Sequence, residues 1–285
     1  MKELLFLLFI LLVSFKPKSM SNDDKINILF IGNSLTYYHN MPKMLQSMLN
    51  ETDLNFNIEQ STYPGMTLEG HLESIITKNS GDTLYTRKKE IGEISETQKK
   101  LASKKWDIIV LQQGGEFQYF PEVVKNVISS NIKNIKKLVS NKNCKYIMFN
   151  LWPAKGKYPR EQKCVPKYYF YSDVIFYADD SKNERTCSQE IANLEEDIKI
   201  INESYNSIKE ENNFSISNHT NLHYLVRTKY PEIELYDDDY HPSESGSFLN
   251  ACVFYKLFTN RNPSNLVFVG KLDSKTADIL KYISN

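Results

Sequence analysis

Ile26-Asn27-Ile28-Leu29-Phe30-Ile31-Gly32-Asn33-Ser34-Leu35-Thr36 decides how the rest of the chain is read. An apolar, β-branched run ends in Gly-Asn-Ser, the punctuation of a strand that stops in a tight turn. A hydroxyl on such a turn is usually a turn residue or a helix cap. Here a second stretch far away, Asp238-Asp239-Tyr240-His241-Pro242, changes its meaning. Together the two stretches hold the ingredients of a nucleophile, a base and a carboxylate that orients the base.

Outward from the first stretch the chain alternates strand and helix. Strands are expected at 26–31, 55–60, 106–112, 145–151 and 232–236. Between them, Asn40 and Pro42 open a helix whose buried stripe is Met41, Met44, Leu45, Met48 and Leu49. Pro121 opens another, with Val124, Val127, Ile128, Ile132, Ile135 and Leu138 apolar. Further helices are expected within 188–211, from Ser243 through Phe258, and over 274–283. Continuous apolar strands such as Ile108-Ile109-Val110-Leu111 belong in a parallel sheet covered on both faces. In such sheets ligands gather at the carboxyl ends of the strands. That rule places Ser34, the Gln112-Gln113 pair and Asp238 with His241 along one edge.

Composition narrows the partners. The 285 residues carry 35 basic and 35 acidic side chains, so no basic excess points to nucleic acid or an anionic membrane. Met1-Lys2-Glu3 precedes an apolar stretch from Leu4 to Phe15 that is shorter than the roughly 20 residues a spanning helix needs. It fits a signal peptide over 1–19, with an uncleaved anchor as the alternative and no stable membrane insertion expected after its removal. Export would place the four cysteines in an oxidising compartment. Cys164 and Cys187 bracket a tyrosine-rich stretch, an insertion at about 153–187, and are the expected disulfide. Cys144 and Cys252 lie in or beside apolar segments and read as buried thiols. One domain, 25–285, is expected.

The residues resemble the SGNH/GDSL hydrolases. Gly32-Asn33-Ser34-Leu35 matches that family's first block and Asp238-Asp239-Tyr240-His241 its last. Gly65, within Ser61-Thr62-Tyr63-Pro64-Gly65-Met66-Thr67, matches the glycine whose N–H serves the oxyanion hole. The resemblance spans about residues 25–258 and implies a flavodoxin-like three-layer α/β/α sandwich around a mostly parallel five-stranded sheet. The third block departs from the family pattern. Leu111-Gln112-Gln113-Gly114-Gly115-Glu116 has no Asn, and a direct register puts Glu116 where the family has its Asn amide. Gln112 or Gln113 is the expected replacement, as in a branch of the family that includes bacterial carbohydrate esterases.

What the resemblance implies is an exported serine esterase. Ser34 would be the nucleophile, His241 the base and Asp238 its orienting group. Ser34, Gly65 and a Gln amide would form the oxyanion hole. The substrate would be a small-molecule or glycan ester, most plainly an acetyl ester, and no metal or organic cofactor is implied. A lipid acylhydrolase and a carbohydrate-binding protein without turnover are the alternatives. His219 and His223 have helical spacing but lack the Glu of a zinc hydrolase motif and read as helix surface. His39 and His71 follow turns at the same edge and read as surface or packing residues.

Overall fold

The structure is a computed structural model that describes residues 25–81, 83–161, 164–166 and 185–285. The stretch quoted first forms β1 (Ile26–Gly32), with β2 (Phe56–Thr62) on one side and β5 (Ile108–Leu111) on the other. β6 (Lys145–Met148) and β9 (Ser215–Ile216) complete the sheet in the order β2-β1-β5-β6-β9, and every pairing is parallel. The expected five-stranded sandwich is therefore present. Alternation along β1 serves two cores: Ile28 and Phe30 enter one cluster, Leu29 and Ile31 the other, and all four are fully buried. Each such side chain contributes about 1.5–3 kcal/mol relative to an exposed position.

Helices cover both faces. On the Phe30 face lie α2 (Met41–Leu49), α8 (His219–Lys229), α9 (Glu244–Thr259) and α10 (Ser274–Ile283). On the Leu29 face lie α3 (Leu68–Glu73), α4 (Glu96–Ala102), α6 (Ser129–Leu138) and α7 (Leu194–Asn212). The helix expected from Pro121 begins as the short α5 (Pro121–Val123) and passes through a π turn, Val124–Ile128, before α6. A mostly exposed antiparallel hairpin, β3 (Ser74–Ser80) with β4 (Thr83–Lys88), has no counterpart in the sequence reading.

The fifth expected strand is corrected. Residues 232–236 do not join the sheet, and the edge position is taken by β9. The segment still looks like a strand by burial, with Ile233, Leu235 and Tyr236 inside. Its backbone turns inward instead: Ile233 N–H donates to Tyr230 O, Leu235 O accepts from Ser243 N–H, and Tyr236 bridges Pro242. The chain doubles back on itself to build the loop that carries His241.

The Cys164–Cys187 disulfide is formed, joining β7 (Cys164–Pro166) to β8 (Arg185–Cys187), and Cys144 and Cys252 are buried free thiols. The expected signal peptide, and Tyr168, Tyr169, Phe170, Tyr171, Phe176 and Tyr177 of the insertion, lie outside the described residues. Among the described residues, no helix is long and apolar enough to cross a membrane.

Candidate active site

β1 ends at Gly32, a position packed too closely for a side chain. A Cβ there would come within 2.5 Å of Gln112 Oε1 and 2.6 Å of Thr36 Oγ1. Asn33 then caps a one-turn helix, α1 (Ser34–Tyr37): its Oδ1 accepts from Leu35 N–H at 3.1 Å, while its carbonyl accepts from Thr36 N–H. Ser34 is thereby left at the first helical position. Its own N–H takes no partner among the described residues, as expected for a helix start.

His241 arrives from the other side. Its Nε2 lies 2.8 Å from Ser34 Oγ, and its Nδ1 lies 2.7 Å from Asp238 Oδ2. A carboxylate only accepts, so Nδ1 carries the proton and Nε2 is free to receive one from the serine. Asp238 Oδ1 accepts from the N–H groups of Tyr240, 2.8 Å, and His241, 2.7 Å. Partial desolvation works against the charged carboxylate. The His241 and Tyr240 amides and the imidazole outweigh it and hold the Asp238 carboxyl down at about 2. Asp238 is thus ionised at neutral pH. Tyr38 stacks on the His241 ring, with centroids 4.1 Å apart and planes 14° from parallel.

Several groups hold the His241 loop in place. Trp152 Nε1–H donates to Tyr240 O at 3.1 Å, and Lys155 N–H donates to Asp239 O at 2.9 Å. Ser243 caps α9, accepting from Gly246 N–H at 3.2 Å and donating to Glu234 O at 2.7 Å. Gly246 is required there, since a Cβ would sit 2.3 Å from Leu235 O.

The glutamine pair divides its labour. Gln112 is fully buried. Its Oε1 accepts from Asn33 N–H at 2.7 Å and from Thr36 Oγ1–H at 3.1 Å, and its Nε2 donates to Gln113 O at 2.7 Å. Its oxygen is thus committed to the nucleophile turn, and one of the two N–H groups on its nitrogen to the Gln113 carbonyl. Gln113 Oε1 accepts from Leu68 N–H at 2.9 Å, fixing the amide's orientation. Its Nε2 takes no partner among the described residues. Gly65 adopts φ 62° in a Tyr63-Pro64-Gly65-Met66 turn closed by Met66 N–H to Tyr63 O, and its N–H is likewise unpartnered among the described residues. Asn33 Nδ2–H reaches Met66 O at 3.3 Å, tying this turn to the nucleophile's. Glu116 lies in the 3-10 turn Gly115–Tyr119, and its side chain is outside the described residues.

Two of the other histidines, His219 and His223, are placed differently from expectation. Both are on a helix, but fully buried rather than on its surface. His219 contacts Ser217 Oγ at 2.7 Å, and His223 Nε2 contacts Asn250 Oδ1 at 2.9 Å. His223 also stacks on Trp152, 4.3 Å between centroids and 7° from parallel. His71 is buried beneath the nucleophile turn, its Nε2 3.0 Å from Gly32 O and its Nδ1 2.7 Å from Thr97 Oγ1. A carbonyl only accepts, so Nε2 carries the proton and Nδ1 accepts from Thr97. Burial pushes the His71 imidazole down to about 4, although the Gly32 carbonyl pulls the other way. No sequence signal separated these three histidines from surface ones. His39 is on the surface, as expected.

No protein-family model and no curated protein matches the sequence. Solved structures do match. A DUF4886 family protein from Bacteroides uniformis aligns with a TM-score of 0.63 at 15% identity, over 92% of this chain and 93% of that one. A candidate SGNH hydrolase from Slackia heliotrinireducens aligns at 0.52 and 18% identity, covering 82% and 100% respectively. A candidate GDSL-like lipase from Parabacteroides merdae aligns at 0.50 and 12% identity, covering 82% and 95%. Identities this low speak to architecture and leave residue roles to geometry. The chain has the fold of the SGNH/GDSL hydrolases.

Proposed function

We propose that this protein is an exported serine esterase that hydrolyses short acyl esters, above all acetyl esters, carried on carbohydrate. The observation that carries the chemistry is the hydrogen-bonded line Ser34 Oγ, His241 Nε2, His241 Nδ1, Asp238 Oδ2, with links of 2.8 and 2.7 Å. His241 takes the Ser34 proton as the oxygen attacks the ester carbonyl, and Asp238 stabilises the imidazolium. The same proton then goes to the leaving alkoxide, and a water activated by His241 releases the acid. The negative oxygen formed in each half-reaction is met by the N–H groups of Ser34 and Gly65 and by Gln113 Nε2.

A short acyl group is supported by a cavity between the neighbours of nucleophile and base. Leu35, Tyr119, Leu151, Trp152, Ala154 and Tyr240 line a space of about 10 Å³, close to one water or methyl group. Carbohydrate as the carrier, and export, rest on the sequence: the Gln block and the apolar stretch from Leu4 to Phe15.

The test is release of p-nitrophenol from acetate and from longer acyl esters by the mature protein, Ser34→Ala and His241→Ala. Acetate turnover is expected to fall by about 10⁴-fold or more in both variants. Activity that survives Ser34→Ala removes the serine mechanism. Rates that climb with chain length replace the acetyl reading with a lipid one. An inactive parent that still binds glycans leaves a binding protein on this fold.

A further inference from the structure

His39, the second residue past the nucleophile's helix, has no part in the chemistry above. His39 Nε2 lies 2.6 Å from Asp237 Oδ2, and its Nδ1 lies 3.0 Å from Glu244 Oε2. Those two carboxylates bracket the segment that carries the base. Asp237 immediately precedes Asp238, and Glu244 opens α9 three residues beyond His241. The Asp237 contact is a hydrogen bond, and the Glu244 contact brings the ring's second nitrogen to ion-pair distance of a carboxylate. Lys271 Nζ also approaches the cluster, 3.7 Å from the same Glu244 oxygen.

The backbone at this point is also unusual. His39 has φ 48°, ψ 25° and Asn40 has φ 59°, ψ 38°, two consecutive left-handed residues without a glycine. L-residues adopt that region reluctantly, and it persists where surrounding contacts hold it. The contacts continue through Tyr38, whose ring stacks on His241 and whose carbonyl accepts from Ser247 Oγ at 3.1 Å. The Tyr38-His39 pair therefore meets the His241 loop before it, on it and after it.

We propose that His39 is a positioning residue for the Ser34–His241 couple. By bridging Asp237 and Glu244 it clasps the loop that carries the base onto the turn that carries the nucleophile, and it keeps the His241 ring beneath Tyr38. The proposal deepens the esterase reading and rests on it. The charged groups facing the clasp are Asp237, Glu244 and, beyond Glu244, Lys271; Asp238 and His241 lie across Tyr38.

The test replaces His39 by Asn, which tolerates the same left-handed backbone. His39→Gly is the second variant, easing the backbone while removing the side chain. Two readouts are taken: the kinetics of p-nitrophenyl acetate hydrolysis, and hydrogen exchange at the Tyr240 and His241 amides that donate to Asp238 Oδ1. The expected result is a kcat about tenfold lower with KM within about twofold of the parent, because His39 orients the base without touching substrate. Exchange at both amides is expected to accelerate. Glu244→Gln added to His39→Asn is expected to cost nothing further, since the two act as one unit. A kcat that stays at the parent value overturns the proposal, even if the melting temperature falls, because the role is then structural only. A rise in KM alone also overturns it. Should the parent hydrolyse no ester, the esterase reading fails, and exchange decides the clasp by itself: faster exchange supports it and unchanged exchange overturns it.

Discussion

The two halves of the candidate site are built in opposite ways. The nucleophile turn grows out of the sheet and is supported from beneath by buried polar groups: Asn33, Thr36, His71 and Gln112 are all 5% exposed or less. The loop carrying the base is open to solvent, with the Asp238 side chain 53% exposed. The turn is held by what lies under it, the loop by what reaches across to it from the side. A rigid half and a strapped half can still present Ser34 and His241 2.8 Å apart, but they should fail differently.

The sharpest way to expose that difference is the glutamine pair, adjacent in sequence and opposite in role. Gln113→Ala removes an amide N–H from the proposed oxyanion hole and should lower kcat by about 10²–10³-fold, with little change in melting temperature. Gln112→Ala should instead lower the melting temperature, because it strands the buried N–H of Asn33 and the Thr36 hydroxyl, at about 1–3 kcal/mol for such a group. Steady-state kinetics and thermal unfolding on the same two variants separate the roles. If Gln113→Ala melts early with kcat intact, the division is wrong.

Acid should weaken the buried half first. The His71 imidazole sits at about 4 in the folded chain against about 6.5 when unfolded. Between those values the unfolded state takes up the proton and the native state does not, so stability falls as pH drops from about 6.5 to about 4. The full loss is on the order of 3 kcal/mol. Glu69, pushed up to about 7 by burial and by Glu73, pulls in the other direction over part of that range. Comparing the parent with His71→Gln in denaturant unfolding at pH 7.5 and pH 5 isolates the histidine. The variant should show the smaller difference between the two pH values, and an equal difference would remove His71 as a source of acid lability. Asp238, held at about 2, loses its contribution only below the usual carboxylate range. The loop's own ion pair should therefore outlast the scaffold of the turn.

The same contrast explains what the sequence made legible. Ser34, Asp238 and His241 stood out because their chemistry is local and their motifs are short. β1 and β5, inside the sheet, stood out because burial on both faces writes an unbroken apolar run, as in Ile108-Ile109-Val110-Leu111. The fifth strand was misplaced because 232–236 carries a strand's burial pattern while spending its hydrogen bonds on its own loop. The true edge strand has only two residues, too few for periodicity to register. Gln112 and Gln113 were indistinguishable for a related reason. Which of two neighbouring amides is free depends on partners 45 to 79 residues away. His219 and His223 were read by spacing alone, and spacing says nothing about burial.

The smallest effect tests whether the strapped half depends on single hydrogen bonds. Trp152 stacks on the buried His223 and gives its Nε1–H to Tyr240 O, so one side chain connects the core to the loop. Trp152→Phe keeps an aromatic ring in the stack and deletes the donor. The lost bond is worth about 0.5–1.5 kcal/mol, which corresponds to roughly a 2- to 10-fold loss if all of it appears in the placement of His241. The expected outcome is a fall in kcat of that size, with faster hydrogen exchange confined to residues 237–241 and none added at Asn33 to Thr36. If exchange accelerates equally in the nucleophile turn, the two halves move as one body, and the distinction between support from beneath and straps from the side is lost.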